Sequence, residues 1–106
     1  MVAIQKYSGK QVIKAGEALV AVGIYEDKHK FSEMMDILSY WRFTHEVPLE
    51  KAFELVQSHA KIFDKNIICA KRLKRHISIV NKLRRFEEMK LKNMQDIGGC
   101  RVIVSN

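Results

Sequence analysis

Between residues 8 and 22 the apolar side chains recur with the 3.6-residue period of an amphipathic helix. Val12, Ile13, Ala15, Ala18, Leu19 and Val22 fall on one side; Ser8, with Gln11 three residues on, supplies a capping-box start, and Gly23 supplies a stop. Glu26, Asp27 and Lys28 form a polar connection to a second helix, whose Phe31, Met34, Met35, Ile37, Leu38, Trp41 and Arg42 share a face. That helix is expected to break at residues 45–48, because Pro48 removes a donor and pushes Val47 out of the helical region. Pro48 suits the first turn of a third helix, with Leu49, Ala52, Phe53, Val56 and Ala60 on one side. Residues 1–63 thus read as a helical layer.

The pattern changes from residue 64. Residues 66–70 are a short apolar run of strand length and read as a buried strand. Helical spacing returns over 78–89, with Ile79, Val80, Leu83 and Phe86 expected inward and Asn81, Lys82, Arg84 and Arg85 outward. A turn is expected at 96–99, and 100–104 is a second buried-strand candidate rich in β-branched residues. The fold class is therefore α+β, a helical layer followed by strand, helix, strand over residues 64–106. Parallel pairing of the two strands would require a right-handed crossover. Two strands make a small sheet with an unpaired edge, so the architecture reads as unfinished and its terminal strand offers a route to self-association.

A length of 106 residues with 47% hydrophobic content permits one small domain, and 29% charged residues with only 1 Pro and 5 Gly exclude a disordered or fibrous chain. No apolar window approaches the roughly 20 residues of a membrane span, and no signal pattern opens the sequence, so a cytoplasmic protein is expected. Cys69 and Cys100 are too few for a disulfide framework or a four-ligand zinc site and are expected in or near the core. His29, His45, His59 and His76 show no zinc spacing. Charge changes the picture more. Residues 1–60 hold seven basic and eight acidic side chains, whereas 61–92 hold eleven basic and three acidic, which places the surface for an anionic partner in the second half.

Arg72, Lys74 and Ser78 come where a strand gives way to a helix, a place where backbone N–H groups and the positive helix end favour phosphate. Lys82 and Arg85 follow Ser78 at spacings that put all three on one helical face. Several point charges with a forked guanidinium suit a polyphosphate; the plainer alternative is a solvated basic face. Asp96, beside Gly98 and Gly99, suits a Mg²⁺ ion that bridges phosphates, or else simply forms a turn. No P-loop element occurs.

The RxKxxxSxxxKxxR spacing over residues 72–85, followed by the DxxGxR-like run over 96–101, resembles the synthetase domain of the RelA/SpoT alarmone family. Tyr40, Trp41 and Arg42 with His45, Pro48 and Leu49 resemble the N-terminal helices of its small members. The resemblance implies a nucleotidyltransferase-like mixed sheet and transfer of the β,γ-pyrophosphate of ATP to the 3′-hydroxyl of GDP or GTP, making ppGpp or pppGpp. It also implies that Arg72 and Arg101 flank adenine, that Lys74, Ser78, Lys82 and Arg85 contact the phosphates, and that Asp96 binds Mg²⁺. The family's acceptor-side glutamate and guanine-stacking tyrosine have no counterpart here. The 106 residues are accordingly expected to be the N-terminal portion of a synthetase, carrying the ATP half of the site and inactive alone. The alternatives are a non-catalytic regulator that binds nucleotide or a partner, and a basic nucleic-acid-binding module.

Overall fold

Ser8 starts the first helix reciprocally: its Oγ accepts from the Gln11 backbone at 3.2 Å while its own N–H donates to Gln11 Oε1 at 2.8 Å. A computed structural model describes residues 6–103. The described elements are four α-helices, α1 (Gly9–Leu19), α2 (Lys28–Phe43), α3 (Glu46–Phe63) and α4 (His76–Arg85), and two strands, β1 (Ile68–Leu73) and β2 (Gly98–Ile103). The mixed α+β class is as expected. No described helix is long and apolar enough to cross a membrane.

Helix α1 ends earlier than its apolar period suggests. Val20 caps it, Val22 is fully exposed, and Gly23 adopts a left-handed conformation (φ 83°) that begins a short 3₁₀ turn at Ile24–Glu26. The expected break after α2 is present, but it is narrower. His45 is the N-cap of α3, so Val47 lies inside that helix and Pro48 occupies its third position. A proline is tolerated there because the first N–H groups of a helix have no partner within it.

Val12, Ala15 and Leu19 of α1, Ile37 and Leu38 of α2, and Ile79, Val80 and Leu83 of α4 form one core with Leu91, Met94 and Ile97. Trp41, Phe31, Met34 and Met35, which share a face of α2, are partly buried against it. Helix α3 contributes no fully buried residue and instead covers one face of the sheet. There Lys71 lies over the Phe53 ring at 5.1 Å and pairs with Glu50, and Leu49 approaches Gly98.

The strand, helix, strand order is as expected, but β1 and β2 pair antiparallel, so no crossover rule applies. Neither strand is buried as expected: Ile68 and Ile103 are exposed on the sheet face that α3 leaves open, and Val102, on the α3 side, is exposed as well. Gly98 and Gly99 belong to β2 rather than to a turn. Phe86 is not inward, since α4 stops at Arg85 and leaves the ring 45% exposed beyond its end. Cys69 and Cys100 are half-buried free thiols. Val104, the last residue of the expected second strand, lies outside the described residues.

Candidate functional site

Strand alternation divides the sheet residues between two faces. The register pairs Lys71 with Cys100 and Leu73 with Gly98 on the α3 side, and Ala70 with Arg101 and Arg72 with Gly99 on the open side. Arg72 and Arg101 are therefore diagonal neighbours over a floor of small residues. A Cβ added at Gly99 would meet nothing within 4 Å. The resulting groove, about 330 Å³, is lined by Ala70, Arg72, Asp96, Gly98, Gly99, Cys100 and Arg101.

At the end of β1 the chain turns into α4 under tight control. The Lys74 N–H donates to the Ile97 carbonyl at 2.6 Å, and Arg42 Nε donates to the Lys74 carbonyl at 2.8 Å. Arg75 is the N-cap in extended conformation, without a side-chain capping bond, and the first helical bond runs from the Ile79 N–H to Arg75. Ser78 thus sits in the open first turn of α4, with Lys82 and Arg85 following along the same face. Arg72, Lys74, Ser78, Lys82 and Arg85 line a second groove of about 530 Å³ together with Asn81 and Phe86. Arg72 lines both grooves.

Asp96 ties the two together. Its Oδ2 accepts from Lys74 Nζ at 2.6 Å and lies 2.8 Å from Lys82 Nζ. The Lys74 hydrogen bond, then that of Lys82, holds the carboxyl well below its ordinary range, at about 2. The lining residues of the two grooves carry five cations, Arg72, Lys74, Lys82, Arg85 and Arg101, against this one carboxylate. Such a surface has the charge and the donors to hold several phosphate oxygens at once.

Among the described residues no three His, Cys, Asp or Glu side chains group to hold a metal. The described residues alone therefore offer no cage. Mg²⁺ commonly takes one or two carboxylates and completes its shell with phosphate and water, and a half-exposed Asp96 beside a cationic groove fits that mode.

Every candidate site residue from 72–85 and 96–101 that the sequence singled out lies in one of the two grooves. Sequence reasoning missed Asn81, three positions after Ser78, and Phe86, whose ring lies 5.4 Å from the Arg85 guanidinium. It also missed Ser39, whose Oγ is 2.9 Å from His76 Nε2. Burial, and then the Arg42 charge, lower the His76 pKa. A separate hollow of about 280 Å³ between α1 and the end of α4 contains Glu17, paired with Lys90 at 2.9 Å, and none of the motif residues. No protein-family model matches the chain, and no curated protein matches it.

Proposed function

We propose that this chain binds ATP with Mg²⁺ as the donor side of a RelA/SpoT-like pyrophosphokinase, on the start of a nucleotidyltransferase-like sheet. The observation that carries the reading is convergence. Residues separated as far as Arg72 and Arg101 line adjoining grooves that meet at Arg72 and are joined by the Asp96 contacts to Lys74 and Lys82.

In this reading the guanidinium groups of Arg72 and Arg101 stack on adenine over the Gly99 floor. Lys74, Ser78, Lys82 and Arg85 take the phosphate oxygens, and Asp96 provides the carboxylate for the metal. Mg²⁺, when bound, neutralises charge on the β- and γ-phosphates. Pyrophosphoryl transfer depends mainly on positioning and charge stabilisation, which these side chains supply on the donor side. The carboxylate that would activate the acceptor hydroxyl is not among the residues matching the family pattern. The proposal for these residues is donor binding, with GDP or GTP as acceptor of the complete reaction.

A nucleic-acid track presents its cations in line at the surface. Here Lys74 has a side chain only 12% exposed, and it converges with Lys82 on a single oxygen. That arrangement favours a compact polyphosphate. Calorimetric titration of ATP with Mg²⁺ should give saturable binding that weakens about tenfold or more in Lys82→Ala and in Arg72→Ala. Unchanged ATP affinity in both variants, with steeply salt-dependent binding of long nucleic acid, would favour the nucleic-acid alternative instead.

A further inference from the structure

We propose that Asp96 makes the groove selective for polyphosphate that arrives with a divalent cation, because it holds Lys74 and Lys82 on its own carboxylate until that cation engages it. The inference rests on the reading of this groove as a polyphosphate site and adds a specificity-determining role for one residue.

Three separate pieces of the fold meet at one atom. Lys74 comes from the end of β1, Lys82 from α4, and Asp96 from the segment before β2, yet both ammonium groups lie within 2.8 Å of Asp96 Oδ2. A local turn interaction of Asp96 would not need two lysines from distant elements. The cost of this arrangement falls on a bare anion. A metal-free polyphosphate must compete with the carboxylate for the two ammonium groups and lie beside its negative charge.

Mg²⁺ alone meets the opposite obstacle. It approaches a single carboxylate whose Oδ2 already holds two repelling ammonium groups, with no cluster of further metal-ligating side chains among the described residues to complete its shell. When metal and polyphosphate come together, each removes the other's obstacle. The cation satisfies Asp96, and the released Lys74 and Lys82 satisfy phosphate oxygens. Binding of the two is therefore positively coupled, and by linkage each raises affinity for the other by the same factor.

The test uses inorganic tripolyphosphate, which has no base to bind elsewhere, titrated with Mg²⁺ and with EDTA, alongside Mg²⁺ alone. Wild type should bind the metal-loaded form at least about tenfold tighter than the metal-free form and should show no saturable binding of Mg²⁺ alone. Asp96→Asn should bind metal-free tripolyphosphate tighter than wild type, by roughly tenfold, and lose most of its response to Mg²⁺. Asp96→Ser should behave alike, which guards against an effect of amide geometry. Metal-free affinity that is unchanged or weaker in both variants overturns the selectivity role while leaving the polyphosphate site standing. Absence of tripolyphosphate binding to wild type in either form overturns the site and the role together.

Discussion

Arg42 Nε donates a 2.8 Å hydrogen bond to the carbonyl of Lys74, a residue 32 positions away in sequence. One turn earlier on the same helix, Ser39 Oγ lies 2.9 Å from His76 Nε2. Helix α2 thus grips the β1 to α4 turn on both sides of Arg75, and with it the backbone that carries Lys74 and Ser78. Arg42→Ala leaves a part-buried carbonyl without that partner and should cost about 1–3 kcal/mol in urea unfolding. It should also weaken ATP binding, although Arg42 lines neither groove.

The pH dependence of stability should have two limbs of separate origin. His76 has a lowered pKa in the folded chain, so below its ordinary 6.5 the unfolded chain binds more protons. Stability is then full above that value and declines as pH falls below it. Unfolding curves for His76→Gln should lack this decline. Asp96 is depressed from 3.8 to about 2, so its contribution is present above 3.8 and disappears as pH falls toward 2. Solvent screening keeps that limb small, and the difference between wild type and Asp96→Asn isolates it.

At Gly16, α1 and the segment carrying Leu91 pack closely. A Cβ there would lie 2.9 Å from the Cβ of Leu91, which is fully buried. Gly16→Ala should therefore lower the melting temperature despite a gain of about 1 kcal/mol in helix propensity, because overpacking costs about 1–3 kcal/mol. Gly9→Ala is the control. Its Cβ would meet only the flexible end of Lys92, and it should be neutral or stabilising.

Gly99 faces open space across from Arg72. Gly99→Val should keep the melting temperature, since β-branched residues suit a strand. The valine side chain fills the floor on which adenine is proposed to lie. ATP affinity should fall while tripolyphosphate affinity stays unchanged, and calorimetry on both ligands reads the difference.

Local chemistry was legible in the sequence where it depends on near neighbours. Ser8 and Gln11 cap α1 as their spacing predicts, and Ser78, Lys82 and Arg85 share a groove because they share a helical face. Periodicity misled where a helix stopped for other reasons. Val22 and Phe86 continue an apolar pattern beyond the last helical residue, and both side chains are exposed. Strand burial was misread because an apolar run does not say which face a helix will cover. The ion pairs of Asp96 and the Arg42 bond to Lys74 join elements far apart in the chain, and no local spacing encodes them.

The central claim is that residues 72–85 and 96–101 form one nucleotide site. Amide chemical-shift mapping with ATP and Mg²⁺ tests it most directly. Saturable shifts concentrated at Arg72, Lys74, Ser78, Lys82, Asp96 and Gly99, with α3 unmoved, are the predicted result. Shifts that fail to saturate, or that cluster in the hollow beside Glu17 and Lys90, would contradict it.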